Sequence, residues 1–178
     1  LHLLKRHVVK SSNIPVLMIP NIVSVPKIDY KRKQDQFNVL FAASLKEVKD
    51  PFTFIKGAAF AIKKNINIHV NIAGDGPFRE KLEEFVHEKK LHNNITFLGS
   101  LKPEDVPYNR ASIVVSTSLR EASSNTILEA LVNGACVIGT NVGGTTELLK
   151  NKSFGSLIEV GESEKLGELI LYYSSLSS

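Results

Sequence analysis

Apolar runs of strand length alternate with capped helical segments along most of this chain, and that alternation leaves few folds open. Asn38 to Ser44 is apolar over the length of a strand. Asp50-Pro51 follows. An Asp can accept from the first N–H groups of a helix, and Pro is pre-set for the first helical position, so the pair predicts a helix running to about Lys64. Ile66 to Ala73 alternates apolar and polar residues and reads as a strand, after which Gly74-Asp75-Gly76-Pro77 turns the chain into a helix ending near Leu91. Ile95 to Leu98 is a short strand, Pro103 opens a short helix, and Ala111 to Ser116 is the next strand. Asn125 to Asn133 reads as a helix closed by Gly134. A strand over Ala135 to Thr140, a helix from about Thr145, a strand over Ser156 to Val160 and a helix from about Ser163 complete the pattern. Strands joined through helices pair in parallel, and right-handed crossovers restrict the topology. The expectation is an α/β, Rossmann-like, doubly wound parallel sheet with helices on both faces.

Composition narrows the function classes. The 178 residues suffice for one domain with a sizeable core. No apolar stretch approaches the ~20 residues that span a bilayer, and the opening Leu-His-Leu-Leu-Lys-Arg-His is apolar for too short a span to be a signal peptide. A first residue of Leu points to a piece of a longer protein. The single cysteine, Cys136, excludes an internal disulfide and fits a reducing compartment. It lies in an apolar strand and reads as a small core residue. The net charge of +4 gathers early, at Lys5, Arg6, Lys10, Lys27, Lys31, Arg32 and Lys33. These cations interleave with Pro and lack stacking aromatics, so they read as a solvated linker, with an anionic membrane surface as the other reading and no nucleic-acid partner. His2, His7, His69, His87 and His92 show no metal-ligand spacing, and no Ser-His-Asp order or Cys-His nucleophile is present. No metal site is expected.

The chemistry gathers between residues 120 and 147. Glu121 and Glu129 stand with seven residues between them. The first follows the strand ending at Ser116, and the second lies about a turn into the next helix, beyond the helix-starting residues Ser123, Ser124 and Asn125. Such an arrangement can hold a ligand's hydroxyls with carboxylates while free helix N–H groups hold its phosphate. In a sheet of order 3-2-1-4-5-6, ligands bind beyond the strand ends where the order reverses, between the loops after strands one and four. The first of these loops carries Lys46 and Lys49; the second carries Glu121 to Asn125. A cation loop should therefore face an acid-and-amide loop. The loop after strand one, A-A-S-L-K-E-V-K-D-P, lacks the G-x-G-x-x-G of a nicotinamide enzyme, and no G-x-x-x-x-G-K-[ST] is present.

Glu121, Glu129 and the following Ala130, Gly134, Val137, Ile138, Val142, Gly143, Gly144 and Glu147 make a chain of motifs that resembles glycosyltransferase family 4, the group 1 glycosyltransferases. The resemblance extends from about Ile19 to Leu169. It implies one half of a GT-B architecture. Residues 1–35 would be the interdomain crossing segment and linker, with Pro20-Asn21 marking the crossing. Residues 36–178 would be the C-terminal nucleotide-sugar donor-binding domain, without the N-terminal acceptor domain. The implied reaction is transfer of a sugar from a UDP- or GDP-linked donor, with retention of anomeric configuration and no cofactor, to a glycan or glycolipid held by the missing domain. This fragment alone should then be inactive. Polysaccharide or glycoconjugate assembly in the cytoplasm, at the inner face of a membrane, is the family-level setting.

The resemblance also implies residue roles. Lys49 would bind the diphosphate, against the plainer reading of a solvated lysine, and Glu121 would contact the donor sugar, against an exposed loop acid. Glu129 would accept from the ribose hydroxyls, against a helix-surface carboxylate. Backbone N–H groups at Ser123, Ser124 and Asn125 would reach sugar or phosphate oxygens, with Thr126 adding a hydroxyl or capping the helix. Gly74 matches a turn after strand two and reads mainly as a position needing positive φ. Leu98 lies where the base is seated, though core packing is the stronger reading, since apolar strand residues are usually buried. Glu147 reads as a cap of the next helix. Two departures stand out. Ser44 occupies the position of a phosphate-binding Arg, removing a bidentate fork. Ala122-Ser123-Ser124 replaces a Gly-Phe-Gly. A non-catalytic nucleotide-sugar-binding module is the alternative, and a flavodoxin-like signalling domain is disfavoured because Ala42-Ala43-Ser44 offers no clustered Asp.

Overall fold

The computed structural model describes Asn21, Val23, residues 36–150 and residues 152–176. The predicted crossing segment and linker, with the early basic residues, therefore lies outside the described residues apart from Asn21 and Val23.

Six strands form one parallel sheet: β1 (Phe37–Ala42), β2 (Ile68–Ala73), β3 (Ile95–Gly99), β4 (Ile113–Ser116), β5 (Cys136–Thr140) and β6 (Gly155–Ile158). Five helices connect and flank them: α1 (Pro51–Lys64), α2 (Arg79–Glu88), α3 (Asn125–Val132), α4 (Gly143–Leu148) and α5 (Ser163–Ser175). The strand order is β3-β2-β1-β4-β5-β6. The order reverses between β1 and β4, where the predicted crevice lies.

Strand side chains alternate between two cores, which is why both faces need helices. Val39 and Phe41 of β1 enter one cluster with Phe54, Ile55, Ala58 and Ile62 of α1, Leu82 and Val86 of α2, and Leu166 and Ile170 of α5. Leu40 and Ala42 enter the other with Val114, Val137, Ile127, Ala130, Tyr108 and Leu149. Burial on both faces accounts for strands rich in Val and Ile. Phe41 stacks on Phe54 with ring centroids 4.6 Å apart, locking α1 to the central strand.

The helix starts follow their caps. Asp50 accepts from the Thr53 N–H at 3.2 Å and from its hydroxyl at 2.6 Å, and Pro51 opens α1. The Ser124 hydroxyl accepts from the Ile127 N–H at the start of α3. Several expectations change in detail. β1 ends at Ala42, and Ala43 and Ser44 beyond it line a cavity, with the Ala43 N–H still bonded to the Ala73 carbonyl at 3.0 Å. The short helix at Pro103 is a 3₁₀ turn, followed by a second over Tyr108–Arg110. Helix α4 begins at Gly143, so Glu147 sits exposed inside it and caps nothing. Cys136 is half-buried rather than enclosed, and burial raises its thiol pKa. Among the described residues no helix is long and apolar enough to cross a membrane, and no cluster of His, Cys, Asp and Glu could hold a metal ion.

Candidate functional site

Two loops meet above the sheet where its order reverses. Lys49, in the loop after β1, places Nζ 2.6 Å from Glu121 Oε2 in the loop after β4. Their side chains are 27% and 12% exposed, so a ligand can reach the pair but water covers little of the carboxylate.

This contact is held by backbone. The Thr117 hydroxyl is shared between the carbonyls of Lys49 and Asp50, at 3.0 and 2.8 Å. Leu119 N–H bonds to Val48 O at 2.9 Å. Buried Thr140 ties down the Ser118 carbonyl at 2.6 Å, and the Ser118 hydroxyl lies 3.5 Å from Glu121 Oε2. On the far side, the Gly144 N–H bonds to the Glu121 carbonyl at 2.9 Å. The two glycines thus hold the start of α4 against the Glu121 loop. Gly143 has φ of 44°, and a Cβ there would collide with the Glu121 carbonyl oxygen. Gly143→Ala is therefore expected to lower stability by about 2–4 kcal/mol, from backbone strain plus displacement of that loop, as read by urea unfolding. A loss below about 0.5 kcal/mol would show that the loop yields freely.

A cavity of about 290 Å³ lies at the ends of β1 and β2. Its walls include Ser44, Gly74, Asp75, Leu101, Tyr108 and Glu129. Gly74 has φ of 150°, and a side chain there would strike the Ala43 carbonyl, so the turn after β2 must be bare for the two loops to close on one another. The loop after β1 contributes Ser44 to the cavity and Lys49 to the ion pair; the β4–α3 unit contributes Glu129 and Glu121. Each of the two segments thus supplies one residue to the cavity wall and one to the ion pair, although neither Lys49 nor Glu121 lines the cavity itself.

The other predicted residues fall into place unevenly. Ser124 is buried, and its hydroxyl is committed to capping α3. Ser123 and Asn125 are exposed at the helix start, where the first-turn N–H groups have no intrahelical acceptor. Asn21 reaches this point, its amide donating to the Asn125 side-chain oxygen at 2.5 Å. Thr126 neither caps α3 nor points free: its hydroxyl donates to the Ala42 carbonyl at 3.0 Å. Leu98 packs against the second core cluster and is not part of the cavity wall; Leu101, Pro103 and Val106 supply the apolar surface there. The segment beyond β3, with its 3₁₀ turns, brings these other apolar residues to the cavity wall.

Tyr108 was not signalled by any motif. It is buried among apolar residues of the second core and lines the same cavity as Glu129, whose carboxylate acts on its hydroxyl together with the Thr126 hydroxyl. Burial, then the bond to Glu129 and its charge, push the phenol well above its usual range, and Thr126 opposes the shift. The folded state therefore favours the neutral phenol. Its contribution to stability is complete below the ordinary phenol pKa of about 10 and declines as pH rises beyond it. Urea midpoints measured at pH 9 and pH 11 should fall further for the wild type than for Tyr108→Phe; equal slopes would remove Tyr108 as their cause.

A parallel six-stranded sheet of this order, with a charged crevice at its reversal point, defines a ligand-binding domain of the Rossmann-like class. The sequence model described as "Glycosyl transferases group 1" matches residues 27–177, and the chain belongs to that family. Among its relatives, poly(glycerol-phosphate) alpha-glucosyltransferase of Bacillus subtilis is 27% identical over 153 residues, covering 85% of this chain and 22% of that protein. Alpha-monoglucosyldiacylglycerol synthase of Streptococcus pneumoniae is 26% identical over 151 residues, covering 84% and 30%. The chain thus spans less than a third of the length of these curated relatives. In fold it resembles a TarM variant of S. aureus, solved with fondaparinux, alpha-GlcNAc-glycerol and UDP, with a TM-score of 0.83 at 20% identity over 96% of this chain and 35% of that one. It also resembles the crystallised C-terminal domain of a group 1 glycosyl transferase from Francisella tularensis, with a TM-score of 0.72 at 24% identity, covering 78% of this chain and 75% of that one. The fold is that of one Rossmann-like half of a GT-B glycosyltransferase.

Proposed function

We propose that this chain is the donor-binding domain of a retaining glycosyltransferase. It would hold a nucleotide-diphosphate sugar, of UDP or GDP type, in the crevice between the loops after β1 and β4. The observation that carries this reading is the shared construction of the two clusters. Ser44 and Glu129 border a cavity, and Lys49 and Glu121, from the same two segments, meet at 2.6 Å. A cavity of about 290 Å³ matches a nucleoside rather than a whole donor, since drug-sized sites run from about 300 Å³ upward. The diphosphate and sugar would then extend over Lys49, Glu121 and the start of α3.

Each group has a chemical part. Glu129 can accept from two vicinal ribose hydroxyls at once. Lys49 would leave Glu121 for the more highly charged diphosphate, releasing Glu121 to accept from the sugar's hydroxyls. Backbone N–H groups at Ser123 and Asn125 would add donors to the same oxygens. In transfer, the bond from the anomeric carbon to the diphosphate breaks as one to the acceptor oxygen forms on the same face. Lys49 and the helix N–H groups stabilise the departing charge. The acceptor glycan or glycolipid would be held by a second, N-terminal domain of the full-length protein. The full-length protein would work in the cytoplasm, peripherally at the membrane face where lipid-linked acceptors lie.

Calorimetric titration of this chain with a panel of UDP- and GDP-sugars tests the reading. Binding of at least one donor is expected, together with negligible transfer by the chain alone. Absence of binding across the panel, or robust turnover without a second domain, would overturn it. Ser44, in place of an arginine, favours the second reading of a binding module without catalysis, because a bidentate phosphate fork is then missing from that position. A full-length protein that binds donor, lacks transfer and gains it with Ser44→Arg would decide for that reading.

A further inference from the structure

We propose that Tyr108 is the positioning residue for Glu129: its buried hydroxyl donates to the carboxylate at the cavity wall and holds it where two ribose hydroxyls can reach it. This rests on the reading of Glu129 as the ribose ligand. The two residues come from different elements, a 3₁₀ turn before β4 and the second turn of α3, and both line the same cavity. The Tyr108 ring is 5% exposed and packed with Leu40, Ala42, Ile127 and Ala130, so it cannot swing away. The hydroxyl is therefore a fixed donor. Thr126 braces the same corner by its bond to the Ala42 carbonyl.

The physical need is clear from the neighbouring pair. Glu121 is held by a cation that must be exchanged when a donor arrives. Glu129 has no cation among the described ion pairs, and a free glutamate loses much rotamer freedom on binding. A neutral donor orders the carboxylate beforehand without competing for its charge. An ionised carboxylate offers about four acceptor positions, so one bond from Tyr108 leaves room for two from a ribose.

The test compares affinities of the chain for UDP and 2′,3′-dideoxy-UDP, and for GDP and its dideoxy form, by calorimetry. The pair that the wild type binds more tightly is used. Wild type should favour the ribose form by about tenfold or more, the scale of a hydrogen bond to a charged group. Tyr108→Phe keeps the ring in the core and should cut that ratio to about a third or less, with affinity for the dideoxy form unchanged. In a Glu129→Gln background the same change should have no further effect on the ratio. Replacing the tyrosines with 3-fluorotyrosine keeps ring and hydroxyl, strengthens the donor and should hold or raise the ratio; it serves if Tyr108→Phe does not fold. A wild-type preference that Tyr108→Phe leaves intact, or that fluorination abolishes, overturns this inference alone. A wild type that binds both forms equally overturns the ribose reading of Glu129 and this inference with it.

Discussion

Lys49→Ala in the full-length protein is expected to reduce sugar transfer by about 10²–10³-fold, the range seen when one preorganised charge-stabilising group is removed. Two effects add. The diphosphate loses its cation, and the Glu121 carboxylate, only 12% exposed, is left unpaired beside the incoming negative charge. The second effect gives the prediction a signature. Adding Glu121→Gln to Lys49→Ala removes the repelling charge and should restore part of the donor affinity, although Glu121→Gln by itself lowers transfer. Independent contributions would simply add; coupling through a shared pair does not. Steady-state kinetics on the four proteins of this cycle measure it. A Lys49→Ala enzyme within threefold of wild type would remove Lys49 from the diphosphate site.

Glu129→Ala should weaken nucleotide-diphosphate binding by about 10- to 100-fold, because the ribose hydroxyls lose acceptors placed for them. It should also cost stability, which separates it from a change at an ordinary helix-surface glutamate. The buried Tyr108 hydroxyl loses its acceptor, at about 1–3 kcal/mol. For a domain of this size that corresponds to a fall of several degrees in Tm, at ~2–4 °C per kcal/mol. Calorimetric titration and thermal unfolding of the same sample read both. A variant that binds nucleotide as well as wild type would show that Glu129 faces the cavity without serving it.

Much of the fold was legible because its signals are local. Asp50-Pro51, the Ser124 cap and the strand-length apolar runs depend on residues within a few positions of one another, and most elements formed within about two residues of their expected place, although α2 ends at Glu88 rather than near Leu91 and the helix at Pro103 is a 3₁₀ turn. The candidate site was legible in outline for a related reason. Glu121 and Glu129 sit on one loop–helix unit, so their spacing is itself local, and the sheet order then determined which loop faced them. What each side chain touches was less legible. Leu98, a candidate for seating the base with core packing as the stronger reading, packs against the second core, and Thr126 binds a carbonyl of the neighbouring strand. Tyr108 carries no motif, and its bond to Glu129 depends on how a 3₁₀ turn and a helix pack.

The amino-acid sequence by itself determined the kinds and order of the elements, the helix starts, and which two loops carry charge, because hydrophobic period and capping act over short stretches of chain. Only the tertiary structure decided that Lys49 and Glu121, 72 residues apart, share a bond, and that a phenol stands behind Glu129. Those contacts depend on which strands are neighbours and how the helix above them is turned, and no short segment encodes either.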